Sequence, residues 1–191
     1  KKSDMFHDVL PAGKTDIQLV IGPDDFVQGQ AEGNRELITQ IQTWAGSVNR
    51  ISDMFCGIGN LSLPLAAATG ATVFGAELNA ASVRAATANA KALGVDSGFV
   101  VANLFESFDL EPYIGADVLI LDPPRRGAKR LCNQISRLLP KKIIMVSCDV
   151  AAGARDGALL QQHGYRLKAL RALDLFPYAG HVEAMSLWEQ G

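Results

Sequence analysis

The amino-acid sequence predicts a doubly wound α/β fold, and three observations support this class. From Asn49 onward, strand-like runs alternate with helix-like runs, which is the pattern of a parallel sheet covered by helices on both faces. Runs such as "DVLILD" are almost continuously apolar, as expected of strands that are buried on both sides. The last two strand-like runs have no helix between them, so they are expected to pair antiparallel. The prediction is a mostly parallel, seven-stranded sheet with an antiparallel C-terminal edge hairpin.

The individual elements follow in order along the chain. Residues 1–25 are predicted to be a lead-in, irregular over its first dozen residues and with one short strand, "DIQLVIG". Apolar residues at helical spacing from Leu37 to Trp44 predict a helix that ends at Gly46. The strands that follow are "RISDMF", "ATVFGAE", "SGFVVAN", "ADVLILD", "KKIIMVSC", "YRLKALRALDLF" and "HVEAMSLWEQ". The helices between them are "NLSLPLAAAT", "NAASVRAATANAKALG", "AKRLCNQISRLL" and "VAAGARDGALLQQHG". Residues 26–191 are therefore predicted to form the main domain.

Composition excludes several classes of protein. A chain of 191 residues that is 48% hydrophobic and 20% charged is long enough for one domain with a large core. The net charge of −2 gives no global signature of a nucleic-acid binder, which does not exclude nucleic acid, so any such contact would use a local patch or residues outside this chain. No apolar run reaches the ~18 residues of a membrane span. The three cysteines, without a CxxC pair, disfavour disulfides and zinc and favour a reducing cytoplasm.

Candidate ligand residues follow the first two strands of the alternating region. Ligands of an open parallel sheet bind beyond the carboxyl ends of its strands. Here Gly57 and Gly59 allow a tight turn and close approach of a ligand to the backbone. Glu77 lies 18 residues after Gly59, where a carboxylate can accept hydrogen bonds from a ribose, although it could also be a charge at a helix start. Ser62 occupies the third glycine position of a dinucleotide fingerprint, which favours S-adenosylmethionine over NAD.

The loop "LDPPRRG" follows the fourth strand of this region. Its two prolines supply no amide donors and restrict the backbone, so Asp122 is expected to be held rigidly at the base of the loop. The dense basic cluster of the chain begins in this loop, and two interpretations of it stay open: phosphate binding or a solvated face. Its members are Arg125, Arg126, Lys129 and Arg130.

Cys148 ends the fifth strand of this region. Most free cysteines are buried and inert, and this interpretation suits Cys132 inside an amphipathic helix. Cys148 differs because it lies at the expected ligand edge and just before a helix, whose dipole is expected to lower the pKa of the thiol. Cys148 is therefore a candidate nucleophile.

At these motifs the sequence resembles the S-adenosylmethionine-dependent RNA uridine-5-methyltransferases, which make 5-methyluridine in tRNA and ribosomal RNA. The resemblance runs from Phe26 to the C-terminus with the motifs in the family's order and spacing. Together the set is specific, and its members are "FVQGQAEGN", "DMFCGIGNLSLPLA", "GAELNAASVRAATANA", "ANLF", "LDPPRRG", "VSCD" and "FPYAGHVEAM".

The resemblance implies a class I methyltransferase (Rossmann-like) domain and a role for individual residues. Cys148 falls on the nucleophile and Glu183 on the general base, with Asp122 beside them. The cofactor-binding positions are Gln28, Phe55, Asn60, Glu77, Asn103 and Asp122.

The sequence departs from the family pattern at two places. Asp149-Val150 replaces the usual Asn-Pro, and Gln30 replaces an Asn. The carboxylate of Asp149 is expected to raise the pKa of Cys148. The resemblance also implies an RNA-binding barrel before this catalytic part, on which affinity for tRNA or 23S rRNA is expected to depend.

The expected topology brings the catalytic candidates together. In a methyltransferase sheet the last strand lies antiparallel beside the fifth, so Glu183 is expected next to Cys148, with neighbouring strands ~4.8 Å apart. A thiolate that adds to carbon 6 of uracil activates carbon 5 for methylation, and a base must then remove the carbon 5 proton. The target uridine is expected to be unstacked.

Other interpretations stay open at this point. Glu183 could be an edge-strand charge that prevents aggregation. An amino-directed nucleic-acid methyltransferase also uses an Asp-Pro-Pro motif, but an aromatic residue normally stands where this chain has Arg125. An NAD-dependent oxidoreductase and a non-catalytic binding module are the remaining alternatives.

Overall fold

The structure is a computed structural model that describes residues 6–22, 31–173 and 183–191. The strands are β1 (Phe6–Ala12), β2 (Thr15–Ile21), β3 (Arg50–Met54), β4 (Thr72–Glu77), β5 (Ser97–Val101), β6 (Val118–Leu121), β7 (Lys142–Ser147), β8 (Tyr165–Leu173) and β9 (Glu183–Gln190). The helices are α1 (Ala31–Ala45), α2 (Ser62–Thr69), α3 (Ala80–Leu93), α4 (Lys129–Asn133), α5 (Ile135–Leu138) and α6 (Val150–Gln162), with a 3₁₀ turn at Glu111–Tyr113. Within these ranges, no helix combines the length and apolar character that crossing a membrane requires.

Seven of the described strands form one sheet in the order β5-β4-β3-β6-β7-β9-β8. Strands β3 to β7 pair parallel, whereas β9 pairs antiparallel with both β7 and β8. The chain order reverses at β3, which lies between β4 and β6. In open sheets of this kind, such a switch point is where ligands bind. The predicted fold class, including the antiparallel C-terminal pair, is confirmed.

The central strands are apolar throughout because both of their faces are covered. In β6, Val118 and Ile120 join a core with the β1–β2 hairpin and helices α1 and α2. Leu119 and Leu121 point the other way and join a second core with α4, α5 and α6. Successive side chains of a strand alternate between faces, so a continuous apolar run is what a sheet between two helix layers requires.

The N-terminal region differs from its prediction. Residues 6–12 were expected to be irregular, but they form β1, which pairs antiparallel with β2 across Gly13. Leu10 and Leu19 are fully buried in the same core as α1. The sequence of β1 by itself does not predict a strand, because Pro11 and the polar residues interrupt the strand pattern. Pairing with β2 stabilises this strand instead. The expected boundary after residue 25 lies outside the described residues and stays a prediction.

The predicted helix "AKRLCNQISRLL" is two short helices, which is a second correction. Gln134, between α4 and α5, has φ −103° and ψ 6°. Leu131 and Cys132 before the break and Ile135 after it are all fully buried in one core. Because the apolar spacing continues across the break, the sequence pattern does not indicate it.

Asn89 joins the hairpin to helix α3 and gives a test of this packing. Its side chain is 2% exposed, accepts from the Val20 amide at 2.9 Å and donates to the Val20 carbonyl at 3.2 Å. Asn89→Ala is expected to lower the free energy of unfolding by about 2 kcal/mol, because it leaves these backbone groups without partners. Urea denaturation measures the change, with the exposed Arg84→Ala on the same helix as control. Equal stabilities of the two variants would contradict the assignment.

Candidate active site

Five ionisable side chains gather at the carboxyl edge of the sheet, where the parallel strands end. This edge is built by the ends of β3, β4, β6 and β7 and by the start of β9. The five residues are Asp53, Glu77, Asp122, Cys148 and Glu183. These residues bring one thiol and four carboxyl groups together, and a second, buried thiol, Cys56, lies near Asp53 and Glu77, whose charges add to the effect of burial in raising its pKa.

The turn after β3 is shaped for close approach to its backbone. Phe55 has φ +67°, which is rare for a residue with a side chain and indicates local strain. Gly57 has φ +51°, and a Cβ atom there would meet no atom of the described residues within 4 Å, so these residues leave the space over the turn open. At Gly59, φ +83°, an added Cβ would lie 2.6 Å from Leu63 Cδ1, so this glycine lets the turn pack on α2. The two glycines thus have different purposes: one leaves room and the other permits packing.

Asp53 is a site residue to which the sequence analysis gave no role. It is 1% exposed, and its Oδ2 accepts a hydrogen bond of 2.5 Å from the Ser62 hydroxyl. Burial raises the pKa of Asp53 to about 7; the Ser62 hydrogen bond opposes this and the charge of Glu77 adds to it. Among the described residues Oδ1 has no partner. Ser62 therefore replaces the third glycine because its hydroxyl is needed by the buried acid.

Glu77 connects the glycine turn to the start of α3. Its Oε2 accepts from the Gly57 amide at 3.4 Å, and its Oε1 accepts from the Asn79 amide at 2.8 Å. The cap of α3 is Asn79, whose side chain accepts from Ala81 and Ser82 amides. Capping is thus already provided, so the alternative role of Glu77 as a helix-start charge is not needed.

Asn60 is positioned by a residue that the sequence analysis did not single out. Asn34 donates to Asn60 Oδ1 at 3.0 Å, and Asn60 donates to Asn34 Oδ1 at 2.8 Å. Asn34 is fully buried on α1 and also donates to Asp8 of the hairpin at 3.4 Å. In the sequence, the position of Asn34 at the end of the motif "FVQGQAEGN" could have indicated this role. The two amides orient each other and tie the turn to α1 and β1.

Asn103 and Phe105 form the adjoining wall after β5. Asn103 Oδ1 accepts from the Phe105 amide at 3.1 Å, which holds the loop in a tight turn. The Phe105 ring lies 5.4 Å from the Phe55 ring, measured between centroids. The two predicted cofactor positions Phe55 and Asn103 therefore share one wall. Gln28, a third such position, lies outside the described residues.

Strand register brings Cys148 and Glu183 together. Ser147 of β7 pairs with Ala184 of β9, so one residue further along each antiparallel strand Cys148 is level with Glu183. Asp122 follows β6, the neighbour of β7 on its other side. Burial, followed by the charges of Glu183 and Asp53, raises the pKa of Asp122 to about 8. The three predicted catalytic residues thus meet on neighbouring strands, as expected.

The thiol of Cys148 is less acidic than the sequence analysis expected. Burial raises its pKa, and the negative charges of Glu183 and Asp122 add to this, whereas Arg125 opposes it. The expected lowering by a helix dipole is therefore wrong, because burial and two nearby acids dominate. The pKa of Glu183 is also raised by burial, with Arg125 opposing. Among the described residues Glu183 Oε2 is buried without a hydrogen-bond partner.

Asp149 has a structural task at the start of α6. Its Oδ1 accepts from the Ala152 amide at 2.8 Å, which makes it the N-cap of the helix. Val150 is the first helical residue, a position that also suits proline. Asp149 is not among the causes that raise the pKa of Cys148, so the effect expected of it is not found. An Asp-Val pair and an Asn-Pro pair both satisfy this helix start.

The strand order and the glycine turn at β3 define a class I methyltransferase fold, and comparison with known proteins agrees. The model of the methyltransferase small domain family matches residues 26–143. The chain is 41% identical over 177 residues to the 23S rRNA (uracil(1939)-C(5))-methyltransferase RlmD of Shewanella sp. (strain W3-18-1), which spans 91% of this chain. That alignment covers 39% of the Shewanella protein.

Two solved structures share the fold. The tRNA (uracil-54, C5)-methyltransferase of Pyrococcus abyssi, in complex with S-adenosyl-L-homocysteine, superposes with a TM-score of 0.80 at 30% identity. The match covers 95% of this chain and 44% of the Pyrococcus chain. TYW2 of M. jannaschii, in complex with AdoMet, has a TM-score of 0.64 at 18% identity and covers 91% of this chain and 83% of its own. The last likeness supports the fold alone.

The chain belongs to the methyltransferase small domain family, and it is similar to RNA uracil-5-methyltransferases, as its motifs indicate. The resemblance found in the sequence is thereby confirmed, and so is S-adenosylmethionine as the cofactor of the family. The chain spans less than half the length of the uracil methyltransferases that it matches.

Glu183→Gln is expected to lower the pKa of the Cys148 thiol. The carboxylate of Glu183 disfavours the thiolate, so its neutral replacement removes one cause of the raised pKa. The pH dependence of alkylation by iodoacetamide measures this, because Cys56 and Cys132 are 5% and 0% exposed. Cys148→Ala is the control for the assigned thiol. An alkylation midpoint that stays or rises in Glu183→Gln would contradict the electrostatic account.

Asp53→Asn is expected to flatten the dependence of stability on pH. The folded-state pKa of Asp53, about 7, exceeds its ordinary 3.8, so the folded chain keeps a proton that the unfolded chain has already released. This contribution to stability is present at low pH and is lost as the pH rises through 7. Urea denaturation of both proteins at pH 5 and pH 7.5 measures the difference. An Asp53→Asn variant that loses as much stability as the parent would contradict it.

Proposed function

We propose that this domain transfers a methyl group from S-adenosylmethionine to carbon 5 of a uridine in RNA. The observation that carries the proposal is the placement of Cys148 level with Glu183 and beside Asp122, next to an open glycine turn. The uracil-C5 specificity of the Shewanella and Pyrococcus relatives supports the same reaction. By the same likeness, the substrate is ribosomal or transfer RNA, and regions outside these 191 residues contribute to its recognition.

The residues around the glycine turn fit the cofactor. Glu77, already oriented by two backbone amides, would accept hydrogen bonds from the ribose hydroxyls. Phe55 and Asn103 would form the wall of the nucleoside pocket, and Asn60 would border the turn. When bound, S-adenosylmethionine supplies an electrophilic methyl group. The open space over Gly57 leaves room for it.

Cys148 acts first in the proposed mechanism. Its thiolate adds to carbon 6 of the uracil ring, and the electrons of the 5,6 double bond shift toward the carbonyl at carbon 4. When bound, S-adenosylmethionine would supply its methyl group to carbon 5 of the resulting enolate, and it would leave as S-adenosylhomocysteine when the bond between its sulfur and the methyl carbon breaks. Because the pKa of the thiol is raised, only a small fraction is thiolate at neutral pH. The reaction is therefore expected to accelerate as the pH increases.

Glu183 completes the reaction as the general base. Its carboxylate removes the proton from carbon 5, the 5,6 double bond re-forms, and the thiolate leaves carbon 6. The raised pKa of Glu183 makes it a stronger base than an exposed glutamate, and its Oε2 atom lacks a described competing partner. Asp122, with a pKa of about 8, is mostly protonated at neutral pH. Beside the thiol, Asp122 therefore contributes only part of a negative charge in addition to that of Glu183.

The alternative reactions are not favoured. An amino-directed methyltransferase does not need a thiol, and the exposed Arg125 occupies the position where its stacking aromatic residue would be. A dinucleotide-dependent oxidoreductase would need close backbone approach at residue 62, whose hydroxyl instead binds the buried Asp53. The uridine must enter the site unstacked, since carbon 6 of a stacked base is not accessible to Cys148.

Trapping with 5-fluorouridine tests the proposed covalent step. The full-length protein, a 23S rRNA transcript containing 5-fluorouridine and S-adenosylmethionine are expected to give an adduct that survives denaturing electrophoresis, because fluorine cannot leave as a proton does. Cys148→Ala is expected to form no adduct and to methylate unmodified RNA at less than about a thousandth of the parental rate. Cys132→Ala, which removes a buried thiol outside the site, is the matched control.

Two results would contradict the mechanism. If the parent methylates RNA but forms no adduct, the chemistry is not covalent. If Cys148→Ala retains methylation, the amino-directed alternative replaces the proposed reaction. A tRNA transcript with the same substitution extends the test to the second substrate class.

A further inference from the structure

A groove of about 470 Å³ lies beside the candidate active site, on the far side of Phe105. It is formed by the loop after β6, by α4 and by the residue that follows it, together with the Phe105 ring. The residues that line it are Phe105, Arg126, Gly127, Lys129, Arg130, Asn133 and Gln134. The groove and the proposed cofactor site therefore share the Phe55–Phe105 wall.

The groove is strongly basic. Arg126, Lys129 and Arg130 are exposed, and within the described part of the chain none of them forms an ion pair with a carboxylate. The nearby acid, Asp156, is fully buried and paired with Arg155. Three unpaired cations around one concave surface favour an anionic ligand with several charges.

An aromatic and a guanidinium plane give the groove a second recognition element. The guanidinium carbon of Arg126 lies 3.2 Å from the centroid of the Phe105 ring, so the two groups stack. The side chains of Asn133 and Gln134 add amide donors and acceptors to the lining of the groove. Planar cations and rings of this kind stack nucleobases, whereas a phosphate ligand alone would need only the charges.

The loop that carries these groups is held in place before any ligand binds. Asp156 Oδ2 accepts from the Ala128 amide at 2.5 Å, and Arg155 donates to the Arg126 carbonyl at 2.8 Å. Gly127 has φ +75°, and an added Cβ would lie 2.4 Å from Arg155 and Asp156, so this contact requires glycine. These hydrogen bonds and the close contact at Gly127 hold the loop against α6, although the cationic side chains of the loop repel one another. A preformed site loses less entropy on binding.

We propose that this basic groove binds a single-stranded RNA segment next to the target uridine, with phosphates on Lys129 and Arg130 and a base stacked on Arg126. The inference rests on the proposed function, since it concerns the same substrate. It assigns the basic cluster, for which the sequence left phosphate binding and a solvated face open, to phosphate and base contacts. The shared wall means that a nucleotide bound here directly adjoins the one in the active site.

Neutral substitutions in the full-length protein test the phosphate contacts. Lys129→Gln combined with Arg130→Gln is expected to raise KM for a 23S rRNA transcript about tenfold and to leave kcat unchanged. The slope of log affinity against log salt concentration is expected to fall by roughly 1.4, or about 0.7 for each single-strand phosphate contact. The affinity for S-adenosylmethionine, measured by calorimetry, is expected to stay the same.

A matched control removes the same charges from another place. Arg166→Gln combined with Lys168→Gln also replaces one arginine and one lysine, both exposed, and Arg166 lies on β8 at the opposite edge of the sheet. This control is expected to keep the parental KM and salt slope. A groove variant that matches the control in both quantities would overturn the proposal.

The base contact has its own test. Arg126→Lys keeps the charge but loses the planar group, so it is expected to raise KM while the salt slope stays parental. An unchanged KM would refute the stacking role. If the parental protein itself neither binds nor methylates the transcript, the proposed function fails instead, so the two failures are distinguishable.

Discussion

The insertion of β9 between β7 and β8 is the constraint on which the candidate active site depends. The pairing of Ser147 with Ala184 sets Glu183 level with Cys148, and a shift by one residue would turn Glu183 to the other face of the sheet. The strand is anchored by Met185, which is fully buried, and by Trp188, whose ring nitrogen donates to Ser186 Oγ at 2.8 Å. The packing of an edge pair thus determines the chemistry available at the thiol.

Burial and nearby negative charge make the acids Asp53 and Asp122 at this edge harder to ionise than exposed carboxyl groups. Desolvation raises the pKa of Asp53 to about 7 and that of Asp122 to about 8; the charge of Glu77 adds to the first shift, and the charges of Glu183 and Asp53 add to the second. Negative charge also raises the pKa of Cys148, here from Glu183 and Asp122, so the thiol is mostly protonated at neutral pH. Arg125 opposes the effect at both Cys148 and Glu183. A bound substrate that changes this balance would also change the nucleophile.

Acidic and basic side chains collect in two neighbouring parts of the domain. The acids converge at the carboxyl edge of the sheet, whereas the unpaired cations line the groove beyond Phe105. The net charge of −2 conceals this separation, because it sums over the chain. This separation would draw a polyanion toward the groove and away from the acids.

The sequence by itself determined the elements whose patterns are local. Strand and helix periodicity predicted the seven-stranded sheet, and the strand order implied by the family resemblance placed Cys148, Glu183 and Asp122 on neighbouring strands. Only the tertiary structure decided the pairing of β1 with β2, the break between α4 and α5, the hydrogen bond from Ser62 to Asp53 and the direction of the thiol pKa shift. These depend on burial and on contacts outside the pattern of each single element, and a pKa follows the local dielectric and nearby charges rather than position in the chain.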